Sequence, residues 1–231
     1  MALVSSLFLV ELDGMQQSAV DLADPARLIF DYARRVGDVI DAMPAGPLRV
    51  LHIGGAAMTL PRYVDHMRPR SLQVVLEPAI DVIDHVLEEA PLPPGIRIDI
   101  RPVTGQVGIK ELRTASQDVV ILDAFEDGVV PPELTSAAFV AEVRRVLAPG
   151  GVFVTNLIDC PPYPRVRPFV ETARNFGGLL IVVEPATMKG RREGNMVIVC
   201  GAVPPGAFDD SGEAGYRVFR GAEVADAFSV R

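Results

Sequence analysis

Short, mostly apolar runs alternate with segments of helical length along this 231-residue chain, and this alternation constrains the fold more than any other feature. Runs of this kind that end at Gly, Pro or Asp are typical of buried parallel strands joined by crossover helices. We predict strands at residues 49–53, 72–76, 96–100, 119–122, 152–155, 179–183 and 196–199. We predict helices at residues 25–43, 79–89, 133–147 and 166–176. The pattern therefore predicts an α/β fold with a seven-stranded, mostly parallel sheet.

The two ends of this series differ from its parallel centre. Residues 185–195 join the last two predicted strands and are too few for a crossover helix, which predicts a C-terminal antiparallel hairpin. Residues 7–12 have strand character and lead into the turn signal Asp13-Gly14, which predicts a small N-terminal β flap. We therefore divide the chain into a flap at residues 1–21, an α/β domain at 22–204 and a tail at 205–231 with a short helix at 222–228.

Composition excludes several classes of protein. Hydrophobic residues make up 49% of the chain, enough for a sizeable core, and the formal net charge of −8 disfavours nucleic-acid partners. Cys160 and Cys200 lie far apart with no histidine at metal-ligand spacing, so we expect no metal site and no disulfide. The opening segment lacks the basic start of a secretory signal, and apolar stretches fall short of the roughly 20 residues of a membrane helix. We expect a cytoplasmic protein without a membrane partner.

Glycines and an acidic residue follow the first two predicted strands. Gly54-Gly55 would let a ligand approach the backbone closely, and Glu77, 22 residues after Gly55, could accept hydrogen bonds from both ribose hydroxyls of a nucleoside. Each feature alone also occurs in simple helix packing, but their spacing favours a nucleoside site. The dinucleotide fingerprint G-x-G-x-x-G is not met, because Ala56 and Thr59 stand at its later glycine positions. The pattern thus favours an adenosyl cofactor over NAD or FAD.

Carboxylates follow the fourth predicted strand. Asp123 would face the crevice at the carboxyl ends of the strands, where it could orient or deprotonate a nucleophile. Glu126 and Asp127 add negative charge that suits a cationic amine. The alternative is that Asp123 caps a loop and its acidic neighbours are merely solvated. His52 lies within a predicted buried strand, which favours a core residue over a catalyst.

Six short motifs follow one another in order: Leu12-Asp13-Gly14-Met15-Gln16-Gln17-Ser18, Gly54-Gly55 leading to Pro61-Arg62-Tyr63, Glu77, Asp123-Ala124-Phe125, Pro132-Glu133-Leu134-Thr135, and Leu147-Ala148-Pro149-Gly150-Gly151. This succession, over about residues 7–200, resembles the spermidine synthase family and its bacterial spermidine-synthase-like branch. The resemblance implies the Rossmann-like fold of class I S-adenosylmethionine-dependent methyltransferases, with a seven-stranded sheet and an N-terminal β flap.

The resemblance also implies a reaction, in which an amine attacks the propyl carbon next to the sulfonium of decarboxylated S-adenosylmethionine. Asp123 matches the family residue that deprotonates and positions the amine. The residues implied in cofactor binding are Gly54, Gly55, Glu77, Thr104, Gly105 and Gln106, and those implied in binding the acceptor are Gln17, Glu126 and Asp127. The implied acceptor is a polyamine such as putrescine, and the implied assembly is a homodimer.

The chain departs from the family pattern at four places. Ala57 stands where the Gly-rich loop of the family carries an Asp, and Thr104-Gly105 replaces an Asp-Gly or Asp-Ala pair beside the adenine. The second Asp of the family's D-[ST]-[ST]-D stretch is shifted, which leaves Glu126 or Asp127 as candidates, and the family's Tyr and His after the hairpin are not evident. Three functions therefore stay open: an aminopropyltransferase, an S-adenosylmethionine-dependent methyltransferase, and a catalytically degenerate nucleoside-binding relative. Because Ala57 removes a negative group, ordinary S-adenosylmethionine stays open beside its decarboxylated form.

Overall fold

The N-terminal residues form a small hairpin. The computed structural model describes residues 7–12, 15–208 and 215–229, and the side chains of all of these except residues 11–17. Strands β1 (Leu7–Leu12) and β2 (Met15–Asp21) pair antiparallel, which confirms the predicted flap. Val10 and Val20 form an apolar cluster with Ala57 of the main domain, and Ser18 Oγ lies 2.8 Å from Thr59 Oγ1. The predicted Asp13-Gly14 turn lies outside the described residues.

The central sheet follows the hairpin in the chain. Its strands are β3 (Arg49–Ile53), β4 (Leu72–Leu76), β5 (Ile98–Arg101), β6 (Gln117–Leu122), β7 (Leu147–Asp159), β8 (Leu179–Val183), β9 (Gly194–Gly201) and β10 (Arg217–Arg220). Across the sheet their order is β10-β8-β9-β7-β6-β3-β4-β5. Strands β3 to β7 are parallel, and β9 is antiparallel to both β7 and β8. The mainly parallel sheet and its antiparallel β8–β9 pair confirm the prediction.

The sheet has eight strands rather than the seven predicted. The additional strand is β10, which pairs antiparallel with β8 and places Phe219 opposite Ile181. Only Phe219 of its four residues is buried, and arginines stand at both of its ends. So short a strand shows too little apolar alternation to be recognised in a sequence.

Helices cover both faces of the sheet. They are α1 (Asp31–Ala42), α2 (Thr59–Met67), α3 (Ile80–Glu89), α4 (Gly105–Gly108), α5 (Ala137–Val146), α6 (Val166–Ala173), α7 (Pro185–Met188) and α8 (Ala222–Phe228). Helix α8 has the bounds predicted for it, whereas α2, α4 and α7 lie outside the predicted helices. Where one helix was predicted over 133–147, a 3₁₀ turn (Pro132–Thr135) precedes α5, because Ser136 caps α5 by accepting a hydrogen bond from the Phe139 backbone N–H at 3.2 Å.

The alternation of side chains along the strands divides the interior into two main cores. On β6, Val120 and Leu122 pack with α5 and α6 on one face, whereas Val119 and Ile121 pack with α1 and α2 on the other. Because both faces are buried, the last four residues of β6 are all apolar, and its polar residues, Gln117 and Asp118, stand at its start. No helix in the described part of the chain is both long and apolar enough to cross a membrane.

Candidate functional site

A crevice opens where the strand order reverses, between β3 and β6. The chain leaves β3 for β4 on one side and leaves β6 for β7 on the other side. Neither connection therefore covers the carboxyl ends of β3 and β6. The backbones come unusually close here: Asp123 N–H donates to Ile53 O at 2.9 Å, and a Cβ on Gly54 would lie 2.2 Å from Asp123 O. Gly54 has a φ of 90°, so this turn requires glycine on both counts. A cavity of about 430 Å³ lies above it.

Glu77 stands at one side of this first cavity, directly after β4. Its Oε2 accepts a hydrogen bond from Gly55 N–H and its Oε1 accepts one from Ala79 N–H, both at 3.0 Å. These bonds fix the carboxylate against the Gly54-Gly55 turn. Each carboxylate oxygen can accept more than one bond, so Glu77 retains acceptor capacity for the two hydroxyls of a ribose.

Thr104, Gly105 and Gln106 also line this cavity. Gly105 begins α4 and is buried. There is no room for a side chain at this position, because a Cβ would lie 2.5 Å from Ile53 Cγ2 and 3.0 Å from Leu134 Cδ2. The Gln106 side-chain amide donates a hydrogen bond to Glu133 Oε1 at 3.0 Å. The structure thus brings the six predicted cofactor residues to one cavity.

Asp123 forms the polar wall of the cavity. Its Oδ2 accepts a hydrogen bond from the Tyr32 hydroxyl at 3.0 Å, and its Oδ1 accepts one from Asn156 Nδ2 at 3.3 Å. Burial raises the pKa of Asp123 to about 6, although both hydrogen bonds act to lower it. Burial and the adjacent carboxylate also raise the pKa of Tyr32 well above its ordinary value, so the phenol remains a donor. A carboxyl group in this state can gain or lose a proton near neutral pH.

Tyr32 and Asn156 were not identified from the sequence. Tyr32 lies in the first turn of α1, after the hairpin in the chain. The sequence feature that could have identified it is the Phe30-Asp31-Tyr32 stretch at the start of this helix. Asn156 interrupts the apolar core of β7, and the β6–β7 register, which pairs Leu122 with Thr155, sets it beside Asp123. The sequence feature that could have identified Asn156 is an amide side chain within a buried, mostly apolar strand.

A second cavity, of about 400 Å³, adjoins the first. Phe30, Tyr32 and Phe125 line both cavities, and Asn156 lines the second. Its charged lining residues are Asp31, Arg35, Glu184, Arg192 and Glu193. Arg192 pairs with Glu184 at 2.7 Å, and the Arg35 guanidinium lies 5.2 Å from the centre of the Tyr216 ring. Tyr32, Asp123 and Asn156 therefore stand between two spaces, each large enough for a small molecule.

The remaining predicted acceptor residues lie in different places. Glu126 lines the first cavity and is exposed, whereas Asp127 sits at the adjacent turn with a φ of 50° and is not among the described residues that line either cavity. Gln17 belongs to β2, and its side chain lies outside the described part of the structure. These three residues stay predictions.

Two other positions singled out in the sequence are buried. His52 Nε2 lies 2.8 Å from Gln73 Oε1, and burial lowers the pKa of the imidazole to about 4, which agrees with its interpretation as a core residue. Ala57 is fully buried under the hairpin, and its neighbour Ala56 lines the first cavity instead. Neither alanine supplies a carboxylate to that cavity.

The chain is similar in sequence and in fold to several known proteins. No protein-family model matches the chain. Over 174 residues it is 28% identical to a polyamine aminopropyltransferase of Chromobacterium violaceum, and the match covers 74% of this chain and 65% of that protein. The chain is thus similar in sequence to curated polyamine aminopropyltransferases. It spans between about half and two thirds of the length of the curated relatives that it matches.

Solved structures confirm the fold that the resemblance implied. A probable spermidine synthase of Corynebacterium glutamicum superposes with a TM-score of 0.87 at 24% identity, over 100% of this chain and 90% of that one. A spermidine synthase in complex with the transition-state analogue AdoDATO gives 0.62 at 17% identity, over 96% of this chain and 77% of that one. Human methyltransferase-like protein 13 in complex with SAH gives 0.63 at 20% identity, over 76% and 84%. The chain has the Rossmann-like fold that spermidine synthases share with class I methyltransferases.

Proposed function

We propose that the chain transfers an aminopropyl group from decarboxylated S-adenosylmethionine to a polyamine such as putrescine. The observation that carries this proposal is the position of Asp123, held by Tyr32 and Asn156 at the junction of two cavities. One cavity has the acidic strand end suited to a nucleoside. The other is lined by three carboxylates that could attract a cationic amine, although each of them also pairs with an arginine. Sequence similarity to the polyamine aminopropyltransferases supports the assignment.

Asp123 serves as the base in this reaction. The amine nitrogen bonds to the propyl carbon while the carbon–sulfur bond breaks, and methylthioadenosine leaves with the bonding electron pair on its sulfur. Before this attack the substrate ammonium gives a proton to Asp123, which frees the nitrogen lone pair that forms the new bond to carbon. With its pKa near 6, the carboxyl is ionised at pH 7 and is a stronger base than an unperturbed aspartate.

Alignment supplies much of the remaining acceleration. A sulfonium is already a good leaving group, so catalysis mainly requires that the amine nitrogen and the propyl carbon meet in line. Glu77 and the Thr104–Gln106 segment would fix the nucleoside, while the exposed carboxylate of Glu126 would attract the amine. The shared wall of Phe30, Tyr32 and Phe125 would orient the two substrates toward each other.

A methyltransferase acting on ordinary S-adenosylmethionine is the second candidate. The observation that favours it is that Ala56 lines the first cavity and Ala57 is buried, so this loop gives no negative charge to select a purely cationic aminopropyl tail. A human methyltransferase-like protein in complex with SAH has the same fold. The third reading, a relative that binds nucleosides without turnover, rests on the same missing carboxylate.

Calorimetry followed by a transfer assay separates these functions. S-adenosylmethionine, its decarboxylated form and methylthioadenosine are titrated into the wild-type chain and into Glu77→Ala, with Glu88→Ala, an exposed carboxylate of α3, as control. We expect the decarboxylated form to bind best and Glu77→Ala to weaken all three ligands. Formation of spermidine from labelled cofactor and putrescine supports the proposal. Methyl transfer supports the second candidate, tight binding without turnover supports the third, and binding of none of the ligands contradicts all three.

A further inference from the structure

Thr104 and Gly105 bring no carboxylate to the first cavity, and the carboxylate that lines the cavity beside Gln106 is that of Glu133. Thr104 and Gly105 occupy the positions where the family pattern has an Asp followed by Gly or Ala, so neither side chain can present a carboxylate to the amino group of an adenine. The adjacent Gln106 lines the cavity and carries an amide, which offers either a donor or an acceptor depending on its orientation. The orientation of this amide therefore decides which purine the cavity favours.

Glu133 fixes that orientation. Gln106 Nε2 lies 3.0 Å from Glu133 Oε1, and an ionised carboxylate can only accept hydrogen bonds. The NH₂ group of Gln106 must therefore face Glu133, because the opposite orientation would set two oxygens against each other. The amide oxygen is thus free of Glu133 and available as an acceptor.

The two segments that carry this pair are packed together. Gln106 belongs to the first turn of α4, and Glu133 belongs to the 3₁₀ turn Pro132–Thr135. Leu134, which follows Glu133, is buried against Gly105, where a Cβ would lie 3.0 Å from Leu134 Cδ2. The contact therefore brings the Glu133 carboxylate to Gln106 across 27 residues of sequence.

We propose that Glu133 is a positioning residue that makes Gln106 read a 6-aminopurine. In this inference, which rests on the proposed function, the Gln106 oxygen accepts a hydrogen bond from the exocyclic amino group of adenine. A 6-oxopurine would present its own acceptor oxygen to the Gln106 oxygen, and the amide could not turn without breaking its bond to Glu133. The pair thus replaces a single carboxylate and excludes 6-oxopurine nucleosides.

Calorimetry with two nucleosides tests this assignment. Methylthioadenosine and methylthioinosine differ at position 6 of the purine, and we expect the wild-type chain to bind the adenosine compound at least about tenfold more tightly. In Glu133→Ala the amide can rotate and donate to the 6-oxo group, so methylthioinosine should bind more tightly than it does to the wild type. General damage to the fold would not produce such a gain. In Gln106→Leu the preference should fall without that gain.

The matched control for both substitutions is Thr135→Ala. Thr135→Ala lies in the same 3₁₀ turn but removes a hydroxyl that bonds to Pro132 O, so it should keep the wild-type preference. Unchanged preference in both Glu133→Ala and Gln106→Leu, with methylthioadenosine still bound, would overturn the inference while leaving the proposed function intact. If the wild-type chain binds neither compound, the proposed nucleoside site itself is wrong, and the inference falls with it.

Discussion

Asp123 is the carboxyl group of the site whose pKa is most strongly shifted, and its hydrogen bonds predict a specific pH dependence of the reaction rate. Because a base must be ionised to accept a proton, the rate of transfer should rise with pH through about 6. The Tyr32 hydroxyl donates to the ionised carboxylate and so acts to lower its pKa. Tyr32→Phe removes this bond and should move the acidic limb of the kcat profile to higher pH.

The matched control for that profile is Tyr63→Phe. Tyr63 also donates a hydrogen bond to an aspartate, Asp41 at 2.7 Å, but it lines neither of the two cavities among the described residues. Its loss should leave the acidic limb in place. An unchanged limb in Tyr32→Phe would mean that a group other than Asp123 controls the rate.

Replacing the carboxyl itself should damage turnover more than binding. Asp123→Asn keeps the size of the side chain, but an amide cannot take the proton of an ammonium. We expect kcat to fall by roughly 10²- to 10⁴-fold, as is typical of a lost general base. The dissociation constant of methylthioadenosine, measured by calorimetry, should change little. Near-normal kcat in a variant that binds nucleoside normally would contradict the role of Asp123.

At the scale of the elements, the turn after β3 tolerates no side chain. Gly54→Ala would drive a Cβ into the backbone of Asp123, which cannot move without separating β3 from β6. We expect little folded protein, or a loss of more than about 4 kcal/mol in the free energy of unfolding, measured by urea titration. Gly46→Ala is the control, because Gly46 also has a positive φ, 118°, but a Cβ there meets nothing within 4 Å. It should cost about 1–3 kcal/mol. Similar losses in the two variants would show that the backbone angle alone matters.

The strands and helices also show which parts of the fold and of the site can be predicted from a sequence. The bounds of β3, β4 and β8 matched the prediction, because each is a buried apolar run with a clear end. Glu77 and Asp123 were predictable for the same reason, since each follows such a run. Tyr32 and Asn156 were not, because their contact with Asp123 depends on how α1 packs against the sheet and on the β6–β7 register. Both are tertiary properties that no local pattern encodes.

At the scale of the whole molecule, the carboxyl group of Asp123, which we propose as the base, weakens the fold at neutral pH. The pKa of Asp123 is about 6 in the folded chain against an ordinary 3.8, so its protonated form favours folding. Stability that is present below about pH 4 is therefore lost as the pH rises to about 6. Asp123→Asn removes the buried charge and should raise the free energy of unfolding at pH 8 by about 1–3 kcal/mol.

Asp118→Asn provides the opposite sign for the same measurement. Arg49 holds the pKa of Asp118 below its ordinary value through hydrogen bonds and charge, so this carboxylate stabilises the folded chain above about pH 4. Its replacement should lower the stability at pH 8. Equal effects of the two replacements, in urea titrations at pH 8, would show that burial does not penalise the charge of Asp123.

The last described residues, 215–229, cover the edge of the sheet at β8. Strand β10 occupies the open edge of β8, and Phe228 is buried against the rings of Phe219 and Tyr163, at 5.1 and 5.0 Å between ring centres. A protease that cut the chain ahead of β10 would release this cover and leave a bare strand edge beside an uncovered aromatic surface. Exposed edges of this kind recruit strands from other molecules, so a nicked preparation should lose solubility before it loses its central strands.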